Sequence, residues 1–173
     1  MQLGALSRWL KKDAPVWEGQ HFNVSIEGRG RDVLFIHGLA ASAECWEEAL
    51  DRLGPDVRGH FVQMRGFAGL AASGFREPMN FLKPMADALA GYIRTLRAGP
   101  VAVVGHSMGG LITQLLAARG LAQAVVLLTP APPAGVLALK PSVLRTFAKI
   151  TNRWNFWKKP FRFDVQAANY GIY

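Results

Sequence analysis

Cysteine is almost absent from this chain: Cys45 stands alone among 173 residues. No intrachain disulfide can form, which points to a reducing compartment and leaves packing to hold the core. Unbroken hydrophobic runs are also lacking. Residues 98–118 carry no formal charge, but His106, Ser107 and the Gly109-Gly110 pair interrupt them. Residues 120–139 are uncharged too, yet three prolines and two glycines break any helix there. Both stretches read as buried elements of an α/β core, whose parallel strands are continuous apolar runs. The N-terminus, MQLGALSRWLKKD, has no apolar run long enough for a signal-peptide core. Residues 1–20 read as a short amphipathic lead-in, and the default location is cytoplasmic.

Acidic residues are outnumbered, 12 against 20 Lys and Arg, for a formal charge of +8. Such an excess suggests nucleic acid or anionic membrane until it is located. Seven cations, at 140, 145, 149, 153, 158, 159 and 162, face a single acid, Asp164, in the last 34 residues. Six of the eight net charges therefore belong to the tail, and the first 139 residues are nearly balanced. No recognition motif accompanies the charge, so nucleic acid is not expected as a partner. Histidine is scarce and badly distributed: His21, His37, His60 and His106, with none after 106.

The remaining sequence is well patterned. Residues 21–27, HFNVSIE, alternate apolar and polar and read as a half-exposed strand. DVLFIH, 32–37, is a buried strand running into a loop of small residues. Ser42 is placed to cap a helix with Glu44 in its first turn and Trp46, Leu50 and Leu53 on one face. HFVQM, 60–64, is another strand, followed by a glycine-rich loop. Over 80–97, Phe81, Met85, Leu89, Tyr92, Ile93 and Leu96 recur at helical spacing, and AGP ends the helix. VAVVG, SMGGLITQLLAARG and AVVLLT then read as strand, helix and strand. Alternation at these lengths means βαβ units and a mostly parallel sheet with helices on both faces. After Thr129 the texture changes. PAPPAG is a rigid connector, KPSVLRTFAKITNRW (140–154) reads as one amphipathic helix, and NFWKKPFRF is aromatic and basic. The expected organisation is a lead-in (1–20), an α/β core (21–135) and the start of a cap or lid module (136–173).

One pentapeptide carries chemistry. Gly105-His106-Ser107-Met108-Gly109 has the form Gly-x-Ser-x-Gly, with a strand before it and a helix after it. A serine at a tight strand-to-helix turn adopts a strained backbone that neighbouring side chains would obstruct, so glycines flank it. The turn lifts the hydroxyl above the sheet edge, at a helix N-terminus whose dipole favours developing negative charge. With this context the sequence resembles the α/β-hydrolase superfamily from residue 21 to about 135. His37-Gly38 after a buried strand is similar to that family's oxyanion loop. RGFAG at 65–69 sits where the family often has Asp-x-Arg-Gly-x-Gly, with Gln63 at the Asp position. LLTPAPPAG looks like the exit from strand six into an inserted cap.

The resemblance implies roles. Ser107 is the nucleophile. The backbone N–H groups of Met108 and Leu39 donate to the oxyanion, with Ala40 the substitute for Leu39. His37, Gly38, Gly105, His106 and Gly109 shape the elbow and the oxyanion loop and do not titrate in catalysis. The departure at Gln63 involves no catalytic group. His21 and His60 read as surface residues, and Cys45 as a buried small apolar side chain. The tail aromatics Trp154, Phe156, Trp157, Phe161 and Phe163 read as the core of a cap, with membrane-surface contact as the alternative.

The family order is Ser, then Asp or Glu, then His. After Ser107 this sequence has only Asp164, inside the expected cap, and no histidine. A sheet ending at AVVLLT also leaves an apolar parallel strand along its edge. The expectation is therefore the N-terminal part of a longer hydrolase, truncated before its last strands, with the triad acid and histidine beyond residue 173. The implied activity is hydrolysis of a small or medium acyl substrate, a carboxylic ester, without metal or organic cofactor. The alternatives are other serine chemistry on this fold (thioesterase, carbon–carbon hydrolase, cofactor-free peroxidase) or a non-catalytic binding module. Oligomeric state is left open.

Overall fold

A computed structural model describes residues 16–136 except 40, 53, 69, 72–80, 97 and 98, together with Pro141, Arg145 and Ala148. The expected cap module, apart from residue 136 and those three, lies outside the described residues, as do Ala40, Leu53 and the first fifteen residues of the lead-in. The chain divides into two compact units, Met1–Ala131 and Pro132–Tyr173. In the second, Val136 N–H bonds Pro133 O at 3.1 Å.

Among the described residues the first unit holds six strands: β1 (Val16–Glu18), β2 (Phe22–Gly28), β3 (Arg31–Ile36), β4 (Val57–Met64), β5 (Val101–His106) and β6 (Ala122–Leu128). They form one sheet in the order β1-β2-β4-β3-β5-β6. β1 and β2 run antiparallel at one side, whereas β4, β3, β5 and β6 are parallel. Among the described residues three helical segments connect the parallel strands. A 3-10 turn (Ala43–Trp46) leads into α1 (Glu47–Arg52), α2 (Leu82–Thr95) precedes β5, and α3 (Met108–Ala118) joins β5 to β6.

The strand order locates a site before any side chain is considered. From β3 the chain crosses to β4 on one side, then returns over β3 to β5 on the other. The loops leaving the carboxyl ends of β3 and β5 therefore diverge from a switch point, where open parallel sheets form ligand crevices. Those loops contain His37-Gly38 and Ser107.

Two apolar clusters lie on the two faces. The larger joins Leu34, Ile36, Val62, Val101 and Val103 to Met85, Leu89, Ile93, Ile112 and Leu116 from α2 and α3. The smaller joins Phe35 and Phe61, stacked at 4.8 Å, to Ala43 and Trp46. The residues at helical spacing in 80–97 face this core as expected, with Phe81 and Leu96 packed at its margin. β6 differs from the other parallel strands. Val125, Val126, Leu127 and Leu128 stay 37–49% exposed, so both of its faces present apolar surface at the sheet edge.

The structure corrects four local expectations. β4 begins at Val57, three residues early, because Arg58 and Gly59 pair with both β2 and β3 and Val57 pairs with Arg31 of β3. β1 was not legible at all; Trp17 holds it by stacking on Phe22 at 4.9 Å. His60 is fully buried, not superficial, since its neighbours across the sheet are Ile26 and Leu34. Cys45 reaches the surface while Trp46 beside it turns inward. Desolvation still pushes its thiol up to about 11, so it is a poor nucleophile. Among the described residues no helix is long and apolar enough to cross a membrane.

Candidate active site

Ser107 lies between β5 and α3 with φ 53° and ψ −116°. Side chains rarely adopt this backbone conformation, and such strain persists only where the surroundings enforce it. The enforcing contacts are backbone bonds from the last residue of β6 and from the segment after it. Ser107 N–H donates to Leu128 O at 3.0 Å, and Ser107 O accepts from Ala131 N–H at 2.9 Å. Thr129, between those two residues, itself has φ 41°. The serine is thus gripped on both sides of its own peptide unit.

The flanking glycines answer to space. A Cβ on Gly105 would strike Thr113 Oγ1 and Gly109 O, and one on Gly109 would strike Ile36 O. The elbow packs directly onto the end of β3, which brings the two loops of the switch point together. Gly38 is the point of contact: a Cβ there would come within 3.0 Å of Ser107 Cβ and 2.9 Å of His106 Nδ1. Met108 opens α3 and packs partly against the larger core, while the Leu39 side chain turns outward, 60% exposed.

His37 is fully buried beneath this contact. Its Nδ1–H donates to Gly38 O at 2.7 Å, and its Nε2 accepts from Met64 N–H at 3.1 Å. Both nitrogens are thereby occupied and one neutral tautomer is fixed. Burial pushes the imidazole down, the Gly38 carbonyl opposes that, and nearby His106 adds to the depression. Phe67 meets its ring edge-on at 5.8 Å. Both nitrogens of this imidazole are therefore engaged by backbone groups.

Sequence reasoning missed Gln63. Ser42 is the N-cap residue of the 3-10 turn, but its side chain makes no capping bond. Instead Gln63 Oε1, from β4, accepts from Ala43 N–H at 2.8 Å. No local pattern signals a bond between residues twenty apart.

A second polar cluster lies toward the amino ends of β3 and β4. His60 Nε2–H donates to Asp32 at 2.9 Å, Tyr92 O–H donates to His60 Nδ1 at 2.7 Å, and Arg58 Nε donates to Asp32 at 2.6 Å. Burial pushes the Asp32 carboxyl up, but bonds from Arg58 and His60 outweigh it and hold the group below its ordinary value. Burial holds His60 down despite Asp32, and pushes Tyr92 up to about 12. Among the described residues no group of His, Cys, Asp or Glu is arranged to hold a metal ion.

Known proteins resemble this chain in sequence and in fold. The chain is 32% identical over 104 residues to 2-(acetamidomethylene)succinate hydrolase of Mesorhizobium japonicum, covering 56% of this chain and 34% of that protein. It is 35% identical over 95 residues to the magnesium-chelatase 30 kDa subunit of Rhodobacter capsulatus, covering 51% of this chain and 30% of that one. An epoxide hydrolase from Vigna radiata shares the fold, with a TM-score of 0.60 at 20% identity over 76% of this chain and 43% of that one. The chain thus spans about a third of the length of the curated relatives it matches. The Alpha/beta hydrolase family model matches residues 33–170, most of the chain and all of the switch-point site, and the chain belongs to that family.

Proposed function

We propose that Ser107 is the nucleophile of a serine hydrolase acting on a small or medium acyl substrate, a carboxylic ester. The observation that carries this reading is the contact at the switch point: a strained serine opening a helix, with Gly38 packed on its Cβ. Attack of Ser107 Oγ on the carbonyl carbon forms the tetrahedral intermediate, and its oxygen takes the N–H groups of Met108 and Leu39. Collapse expels the alcohol and leaves an acyl-serine, which water then hydrolyses. Each oxyanion donor contributes about 3–4 kcal/mol in the transition state of comparable enzymes.

The general base is a histidine supplied from outside residues 1–173, held by an acid that is not Asp164. Two observations support this. His37 has both nitrogens engaged, and the apolar surface of β6 is of the kind that further secondary structure covers. Residues 136–173 would then begin a cap that shapes substrate choice, and the protein would act in the cytoplasm.

One observation favours a second reading, a binding module that retains the elbow without the triad. Residues 108–173 contain no histidine and a single acid. Hydrolysis of p-nitrophenyl acetate and butyrate by the native gene product, with and without Ser107→Ala, separates the two. The first reading expects turnover lost in the variant; equal rates, or none in either, would favour the second.

A further inference from the structure

The two loops of the switch point are held differently. The elbow is fixed by glycine packing, by the last residue of β6 and by the segment after it. The loop after β3 must present Leu39 N–H at a constant distance from Ser107, yet between His37 and Ala43 its sequence is Gly-Leu-Ala-Ala-Ser and the Leu39 side chain turns outward. Its described internal backbone–backbone bond is a weak one, Ala41 N–H to Gly38 O at 3.4 Å.

Both ends of that loop are tied to the end of β4. At the near end, His37 receives Met64 N–H on Nε2 and donates from Nδ1 to Gly38 O. At the far end, Gln63 Oε1 receives Ala43 N–H at 2.8 Å. The same amide group of Gln63 donates from Nε2 to Met64 O at 3.1 Å and stands 3.4 Å from His37 Nε2. One side chain thus spans the two anchor points. From these contacts we infer that Gln63 is a positioning residue, which holds the loop over 37–43 and sets where Leu39 N–H points. This inference rests on the hydrolase reading above.

The residue type fits the task. A primary amide offers an acceptor for Ala43 N–H and a donor for Met64 O at once, where a carboxylate offers acceptors only. A neutral side chain also leaves His37 neutral, so that its Nε2 lone pair remains free for Met64 N–H. A carboxylate so close would favour the imidazolium, which has no lone pair to give. The loop over 37–43 is therefore built around an uncharged residue at 63.

The test compares wild type, Gln63→Met and Gln63→Glu in the native gene product. Methionine fills the space without hydrogen bonds; glutamate keeps the acceptor for Ala43 and loses the donor to Met64. Amide hydrogen exchange of residues 38–43 reads the anchoring without reference to catalysis. Hydrolysis of p-nitrophenyl acetate reads its consequence. Gln63→Met is expected to raise exchange at Leu39 and Ala43 at least tenfold and to lower kcat about tenfold. KM should stay within twofold and thermal unfolding within a few degrees, with Gln63→Glu intermediate in exchange and kcat. Unchanged exchange, or faster exchange with unchanged kcat, would overturn the inference. Should wild type hydrolyse nothing while exchange still rises in Gln63→Met, the anchoring stands and the hydrolase reading fails.

Discussion

His37 and His60 are both fully buried beside the same parallel strands, and the two ends of those strands use them in opposite ways. At the carboxyl end, His37 is surrounded by backbone: a carbonyl, an amide and the glycine next to the serine. Among the described residues no carboxylate bonds it, and the neighbouring backbone at Ser107 is strained. At the amino end, His60 sits between a carboxylate and a phenol, with an arginine beyond, on residues of ordinary strand and helix geometry. One end anchors a loop beside a strained serine; the other ties β3, β4 and α2 together. Histidine burial by itself says nothing about function, and the partners decide.

The largest effect expected at the carboxyl end is on activity. Ser107→Ala should lower ester hydrolysis by about 10³-fold or more and leave unfolding within about 0.5 kcal/mol of wild type, measured by rate assay and urea titration on the same preparation. The amino end should behave in reverse. Asp32→Ala leaves His60 Nε2–H without its acceptor and Arg58 without its anion, and should destabilise the fold by about 2–3 kcal/mol. Activity per folded molecule should be unchanged. A loss of activity without a loss of stability in that variant would erase the distinction.

Acid should act on both ends. Burial holds both imidazoles below their unfolded value of about 6.5, so the unfolded chain takes up protons first as pH falls. Stability is therefore full above about pH 6.5 and declines below it, and the lowered Asp32 carboxyl adds a further loss at lower pH. His60→Leu should flatten the upper part of that decline when urea midpoints are followed from pH 8 to 5, leaving the share due to His37. The smallest effect belongs to Thr129, whose positive φ lies between the two residues that grip Ser107. Thr129→Gly removes the strain at some cost in chain entropy, and should stabilise by about 0.5–1 kcal/mol in the same titration.

Much of this was legible from the order of residues, because the signals were local. The elbow announces itself through Gly105, Ser107 and Gly109 between an apolar run and a helical pattern. The period of α2 was visible from Met85 to Leu96 for the same reason. What could not be read depended on residues brought together across the sheet. His60 looked superficial near the apparent start of a strand, yet β4 extends back to Val57 and places it between Ile26 and Leu34. Gln63 looked like a departure from the family pattern without consequence, and its amide proved to bond Ala43 and Met64. Ser42 has the right side chain for a cap, but an acceptor from β4 takes that part. Strain at Thr129 has no sequence signal, since threonine is not a residue that positive φ favours.

The central claim is that Ser107 is an activated nucleophile, and covalent labelling tests it most directly. The native gene product would be treated with a fluorophosphonate, digested and examined by mass spectrometry. The account predicts one phosphonyl adduct, on the peptide containing Ser107, and none after Ser107→Ala. A folded protein that stays unlabelled, or is labelled elsewhere, would contradict it.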